Sequence, residues 1–421
     1  MASQEGTSAE TVSSLARSAP GSALFLAVMF VGYAAYAADR SVLSSMLKPL
    51  STVLDLTDLQ KGLLSSAQYV GVLAFVFLAG HLSDRYGTRK IIILGVSVFT
   101  AFTWLIGLST DFYQAFFFRL VSGFGEGIFW PVAMAAVANY FRMRKGLALG
   151  IFYVGFDAGM ATGLTVGGTA FALTSDWRYA FFVAPLLGIA VVAGVFAARG
   201  AFASADGRVG RIALGRDALE LLKGRRTQVL MLFAFLATWA SVWQVVFLPY
   251  YYSAVLGLSI PLAAFLASAV AVSGGLGKVI LGGASDSWRR DRMLVAISAV
   301  VVILYAGFFS APNVFVSAVM GLAMGFFSSS IFPVMQALMA DSCDGNTGTA
   351  LGLTTTAQSV ATVLAPVITA YRFSVGVGGS LALNALVPAV AMLAVAVVLR
   401  EPRIEPPRQG TRGTMEAPNP K

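Results

Sequence analysis

Charge is scarce in this chain. Of its 421 residues only 12% are Asp, Glu, Lys or Arg, while 57% are hydrophobic; an average soluble domain carries roughly 25% charged residues. Such a surface deficit excludes an ordinary water-soluble globule. Cysteine and histidine are almost missing as well: Cys343 and His81 each occur once. An internal disulfide is therefore impossible, and no HExxH or CxxC spacing exists to hold a metal. A zinc hydrolase or thiol redox enzyme has no residues to work with, so neither a metal nor a cofactor is expected. No nucleophile, base and orienting group fall into a recognisable arrangement, and an enzyme is not expected. The first 21 residues hold Glu5, Glu10 and Arg17 but no basic leader, and the apolar stretch after them runs into Asp39 in place of a cleavage site. No signal peptide is expected there.

What the chain has in abundance is long apolar runs, and its mean hydropathy is +0.78. Runs of about 20 residues suffice to cross a hydrocarbon core about 30 Å thick. The pattern predicts twelve, at 22–47, 59–83, 91–109, 112–140, 146–174 and 178–199, then 227–256, 260–285, 293–311, 313–340, 347–372 and 378–399. The expected fold class is all-α integral membrane, two six-helix bundles with both termini cytoplasmic. The organisation expected is an N-terminal tail (1–21), a first bundle (22–199), a cytoplasmic linker (200–226), a second bundle (227–399) and a disordered, proline-rich tail (400–421). Within the linker, RDALELLKGRR reads either as an amphipathic helix lying on an anionic membrane surface or as a solvated charged connection.

The net charge of +9 reports topology in such a protein before it reports nucleic acid, because Lys and Arg are retained on the cytoplasmic side. With both termini inside, 22 of the 29 basic residues fall in cytoplasmic segments. Nucleic acid is not an expected partner; the lipid bilayer of a cytoplasmic (inner) membrane is. Three basic residues, Arg40, Arg119 and Lys278, lie inside the apolar spans.

Shifted by 202 positions, the sequence repeats its landmarks: Gly80/Gly282, Ser83/Ser285, Asp84/Asp286, Gly123/Gly325, Phe124/Phe326, Pro131/Pro333, Gly146/Gly348 and Gly150/Gly352. A parallel repeat of this size predicts two membrane-embedded halves related by an axis along the bilayer normal, with a ligand site between them.

The segment between spans 2 and 3, GHLSDRYGTRK (Gly80 to Lys90), resembles the signature loop of the major facilitator superfamily, and GGASDSWRRDR (Gly282 to Arg292) is its degenerate copy. In span 4, RLVSGFGEGIFWP resembles the superfamily's RxxxGxG element. Gly155, Gly159 and Gly163 in span 5 keep a four-residue spacing suited to close helix packing, whereas the Gly-Pro pair of the antiporter version is replaced by Asp157-Ala158-Gly159. The resemblance implies gating roles for Gly80, Asp84, Arg85, Arg89, Lys90, Asp286 and Arg290; the alternative is that these residues only fix a tight turn and the topology. It also implies that spans 3, 6, 9 and 12 lie at the periphery. Ala38-Asp39-Arg40-Ser41 together with GFGEGIFWP looks most like the anion:cation symporters. That resemblance implies that Arg40 engages an organic carboxylate and that Asp39 and Glu126 are protonatable.

Each ionised group at the centre of a membrane helix costs roughly 2.5 to 3.5 kcal/mol. Asp39, Arg40, Arg119, Glu126, Asp157 and Lys278 therefore point to a polar cavity. Three carboxylates facing three cations leave the empty cavity neutral, and an anion that takes Arg40 strips a carboxylate of its partner, which then binds a proton. Proton coupling is assigned to Asp39, Glu126, Arg119 and Asp157, and substrate binding to Arg40, Trp243, Gln244, Lys278, Tyr69 and Gln358. Gln68 and Thr354 to Thr356 are weaker candidates. Other readings stay open: Asp39 with Arg119 as a purely structural pair, Arg40 or Lys278 snorkelling to an interface, Asp157 bonding across the glycine face of its own helix, and Tyr250 to Tyr252 as an interfacial aromatic belt. The function expected is proton-coupled symport of a small organic anion by a monomer. The alternatives are a proton-coupled exporter of amphipathic or lipid-like compounds, and a membrane sensor that binds ligand without moving it.

Overall fold

The computed structural model describes residues 21–141, 145–205, 221–285, 287–341 and 347–399. Asp286, residues 216–220 of the linker sequence RDALELLKGRR and both tails lie outside the described residues. The described chain is helical from end to end. The first half comprises α1 (Ser22–Val53), α2 (Asp58–Tyr86), α3 (Thr88–Ile106), α4 (Phe112–Tyr140), α5 (Lys145–Thr174) and the two pieces α6a (Arg178–Val183) and α6b (Leu186–Ala197). A short helix, Arg199–Ala205, follows. The second half holds α7 (Arg225–Ala254), α8 (Ile260–Ala284), α9 (Arg290–Phe309), α10 (Val314–Asp341), α11 (Thr347–Tyr371) and α12 (Val377–Leu399). Among the described residues, eleven helices are long and apolar enough to cross a bilayer, and twelve when α2, bent by 53° between Val76 and Leu78, counts as one span.

Local chemistry sets the helix ends. Thr57 caps α2 with Gln60 in a reciprocal box, and Asp111 accepts from the Gln114 backbone N–H at 3.0 Å to start α4; both satisfy donors that a helix N-terminus leaves open. Gly87, at φ 88°, separates α2 from α3, a left-handed conformation that costs glycine little. Pro185 divides α6a from α6b, since it has no N–H to continue the ladder. At α1 the expectation of an end near residue 47 is corrected: the helix continues through Pro49 to Val53, and the Lys48 amine donates to the Ser253 carbonyl on α7.

Inside a bilayer, apolar side chains gain little from leaving lipid, so helices associate where small residues allow backbone contact. The glycine spacing of α5 meets α1 in this way. A Cβ added at Gly155, Gly159 or Gly163 would lie 2.6, 2.1 and 2.4 Å from the carbonyls of Phe30, Ala34 and Ala38. In the second half the same shift places Ala357, Ala361 and Ala365 on α11. The duplication is visible in three dimensions at one contact: Gly123 packs on the carbonyl of Gln68, and Gly325 on that of Val270, positions that differ by the same shift.

Contacts between the halves gather at the end of the bundle where α1 ends and α2 begins. Ser66 on α2 donates to the Val363 carbonyl on α11 at 2.8 Å, Gly62 nestles against Pro366, Val367 and Ala370, and Gly168 on α5 against Pro261 and Ala264 on α8. A cysteine pair Ser66→Cys/Val363→Cys in a Cys343→Ser background is therefore expected to form a disulfide under mild oxidant in membranes, and adding Gly62→Leu is expected to suppress it. Failure of the pair to cross-link would contradict this closure.

Candidate functional site

Asp39 and Arg40 stand in the middle of α1, and Glu126 at the middle of α4. Because α1 extends to Val53, Asp39 lies about 21 Å along the helix from its far end at 1.5 Å per residue, deeper than a helix ending at 47 implies. Arg119 ties the two helices together: Nη1 donates to the Asp39 carbonyl at 3.0 Å, Nη2 to the Arg40 carbonyl at 3.2 Å, and the Asp39 carboxylate lies 3.8 Å from Nη1. Arg119 thus serves as a backbone clamp as well as a counter-charge.

The Asp39 carboxylate is saturated with donors. Thr103 from α3 donates to Oδ1, Ser122 from α4 donates to Oδ2 at 2.9 Å, and Gln68 Nε2 from α2 donates to Oδ2 at 2.5 Å. The same Gln68 nitrogen donates to Glu126 Oε1 at 2.6 Å, and Glu126 Oε2 accepts from Arg40 Nε at 2.8 Å. The Arg40 guanidinium lies 4.3 Å from the Tyr36 ring centroid and 4.9 Å from that of Tyr69, cation–π contacts that suit a planar, weakly hydrated cation. In this chain Thr103–Asp39–Gln68–Glu126–Arg40 the first four members are buried, the Glu126 side chain 0% exposed, and the Arg40 side chain is 12% exposed. The arginine is thus the member that presents surface to an incoming group. It does not snorkel to the outer interface; Glu126 holds it at mid-depth.

A third pair joins the halves. Lys278 Nζ on α8 donates to Asp157 Oδ1 on α5 at 2.6 Å, over the Phe156 ring at 5.3 Å. Gly275 makes room, since a Cβ there would lie 3.0 Å from the Asp157 Cβ. Neither open alternative for these two residues describes this geometry: Lys278 turns to Asp157 and not to an interface, and Asp157 bonds across to the other half. The neutral tally of three carboxylates and three cations resolves into three discrete pairs.

The second half repeats the network without charge. At the positions equivalent to Thr103 and Glu126 stand Tyr305 and Ser328, and both bond Gln244: its Nε2 donates to the Tyr305 hydroxyl, and Ser328 donates to its Oε1 at 3.2 Å. Trp243 is 2% exposed and packs on Tyr305, Phe308 and Phe309 of α9. That placement corrects its assignment to substrate binding, because in this state the ring is enclosed in the second half's own core. Gln244 is half-buried and occupied by its two hydroxyl partners. Tyr69 touches Arg40, and Gln358 is half-buried on α11. Tyr250 to Tyr252 are buried, with Tyr250 stacked on Phe373, so the belt reading is corrected too: they pack α7 against its neighbours. Thr103 and Tyr305 reach these clusters from α3 and α9.

Of the signature-loop residues, Gly80 is half-buried and Lys90 exposed. Arg85 lies over Tyr86 and Arg89 over Phe196 of α6b, while Arg290 pairs with Asp341. These contacts stay within one half each. Asp84 is exposed near the end of α2, and Asp286 lies outside the described residues. No group of three or more His, Cys, Asp or Glu that could hold a metal occurs among the described residues. Sequence reasoning ranked Gln68 low and missed Thr103, Ser122 and Tyr36. All four are uncharged, and only the fold reveals that they surround the charges.

A membrane bundle of duplicated six-helix halves with paired charges at mid-depth defines the class. The Major Facilitator Superfamily profile matches residues 29–248 and 230–420, and the chain belongs to that superfamily of membrane transporters. Its relatives include the uncharacterized MFS-type transporter YceJ of Bacillus subtilis, 24% identical over 352 residues, covering 83% of this chain and 88% of YceJ. The 3-(3-hydroxy-phenyl)propionate transporter of Escherichia coli is 30% identical over 138 residues, 32% of this chain and 34% of that protein. Among solved structures, an inward-facing bacterial homolog of the human lysosomal transporter spinster superposes with a TM-score of 0.73 at 16% identity, covering 91% of this chain and 96% of the other. That likeness concerns the fold.

The Asp157–Lys278 pair makes a prediction. Removing one partner strands a charge at membrane depth, whereas removing both does not. Asp157→Asn and Lys278→Gln are each expected to cost about 1–2 kcal/mol of stability, discounted for partial exposure, and the double variant to recover most of it. Thermal unfolding in detergent measures this, and strictly additive losses would contradict the pairing.

Proposed function

We propose that the protein is a proton-coupled symporter that imports a small organic carboxylate across a cytoplasmic membrane by alternating access. One observation carries the reading: Glu126, without any exposed surface, holds its single cationic contact with Arg40, the partner that does present surface. A carboxylate that reaches Arg40 competes for its guanidinium, which offers a planar fork matched to it. Once Arg40 turns to the substrate, Glu126 is left as an uncompensated buried charge, a state that costs several kcal/mol and that a proton removes. Anion and proton then travel together, and the loaded site is as neutral as the empty one. Neutrality at both ends of the cycle lets the two halves rock without dragging net charge through lipid.

Asp39 is the second proton site in this scheme, linked to Glu126 through Gln68. Arg119 keeps α1 and α4 in register, and Lys278 with Asp157 forms a second anion-exchangeable pair where the halves meet. The partial similarity to a phenylpropionate transporter supports an organic acid as substrate. Both termini cytoplasmic is the orientation that the basic residues favour, and the closure remote from the termini is then an inward-facing state.

Proteoliposomes test this with 3-(3-hydroxyphenyl)propionate as the probe, beside sugar acids, short monocarboxylates and lysolipids. An inward proton gradient is expected to drive accumulation of a carboxylate. Arg40→Ala is expected to weaken its binding by about tenfold or more, the loss of a charged hydrogen-bonded contact. Glu126→Gln and Asp39→Asn are each expected to abolish gradient-driven accumulation, with at least one retaining substrate counterflow. Full accumulation by both variants would refute the coupling. Binding without accumulation across the panel would identify a sensor, and lysolipid movement indifferent to Arg40→Ala an exporter.

A further inference from the structure

Gln68 is 1% exposed, and its amide is used on one side only. Nε2 spends one hydrogen on Asp39 Oδ2 at 2.5 Å and the other on Glu126 Oε1 at 2.6 Å, while Oε1 is buried and has no hydrogen-bond partner. Buried amide oxygens are almost always satisfied. The residue cannot relieve this by shifting its backbone. A Cβ at Gly123 would lie 2.1 Å from the Gln68 carbonyl, and one at Gly71 would lie 2.2 Å from that of Leu120, so α2 and α4 are locked backbone to backbone around it. The side chain alone is free to turn.

We propose that Gln68 is an amphoteric bridge that serves the carboxylate pair in both of its protonation states, turning its amide over as the pair loads. With Asp39 and Glu126 ionised, Nε2 faces them and donates to both, as the structure shows. Protonated carboxyls are donors themselves. When both carry protons, a half-turn about the terminal side-chain bond brings Oε1 into the place of Nε2, where its two lone pairs accept both O–H groups. The protons sit on the carboxyl oxygens throughout, and the amide neither gains nor loses one. A lysine here would favour only the ionised pair, and an apolar residue neither bonded state; an amide satisfies both with one side chain. The charged and titratable groups around it are Tyr36, Asp39 and Arg40 on α1, Tyr69 on α2, and Arg119 and Glu126 on α4. The two arginines keep their contacts with α1 and with Glu126 until substrate arrives, so the amide is the group left to change. This inference rests on the proton-coupled reading of the site, yet its test needs no transport.

Infrared difference spectra of the purified full-length protein, titrated with protons alone and no substrate, decide it. The carboxylic C=O signal, assigned by its loss in Glu126→Gln and Asp39→Asn, is expected to rise together with a change in a side-chain amide band that vanishes in Gln68→Met. In Gln68→Met, which keeps the length but removes the donor to the ionised pair, the carboxyl titration is expected to move toward higher pH by about one unit. A purely structural glutamine would leave that midpoint unmoved. If Gln68→Met does not fold, Gln68→Asn and the coincidence of the two bands in the native protein carry the test. A glutamine amide band that stays constant while the carboxyls titrate would overturn the proposal. Failed accumulation in vesicles would instead strike the transport reading and leave these spectra untouched.

Discussion

The rest of the site depends on one constraint: a carboxylate at the middle of a bilayer must be paired or protonated. Glu126 meets it through Arg40, Asp39 through Arg119 and a ring of neutral donors, and Asp157 through Lys278. Each pairing is also a tie between helices, so electrostatics and architecture cannot be separated here. Arg119 holds α1 by its carbonyls while balancing Asp39, and the Asp157–Lys278 pair is formed only while α5 and α8 are together. Any event that changes the charge of one member alters both the energy of the site and the helices it connects.

Two of the three pairs lie wholly in the first half, and the third draws only its cation, Lys278, from the second. Both halves place a polar cluster at the same depth and on equivalent helices, but the second fills it with Gln244, Tyr305 and Ser328. A neutral cluster is satisfied in a single protonation state and offers no exchangeable proton near pH 7. Trp243 and the α9 aromatics pack beside it. The first half also packs more closely, with glycines at 155, 159 and 163 where the second has alanines. That close approach brings the backbone of α1 against α5, with Ala38, next to Asp39, packed on Gly163.

The sequence made the charged part of this arrangement legible because ionised residues inside apolar runs are costly and stand out. Asp39, Arg40, Arg119, Glu126, Asp157 and Lys278 were recognisable for that reason, as were the helices and the repeat. What stayed hidden was neutral or depended on distance. Gln68 carries no charge, its copy is Val270, and only packing against Gly123 places it between two carboxylates. Thr103 and Tyr305 occupy equivalent positions yet share no side-chain likeness beyond a hydroxyl, so the repeat did not reveal them. Lys48 and Pro49 resembled the end of a helix, but a carbonyl from α7 receives the lysine and α1 runs on to Val53, which set the depth of Asp39 too shallow. Tyr250 to Tyr252 looked like an interfacial belt because composition cannot distinguish a ring facing lipid from one facing Phe373.

The exchange of Arg40 between Glu126 and the substrate is the central claim, and an experimental structure with a transported carboxylate bound tests it most directly. The account predicts the ligand carboxylate on the Arg40 guanidinium, with the 2.8 Å contact from Arg40 Nε to Glu126 Oε2 broken and Glu126 facing Gln68. An unchanged Arg40–Glu126 contact, with the ligand carboxylate held by other residues, would contradict it.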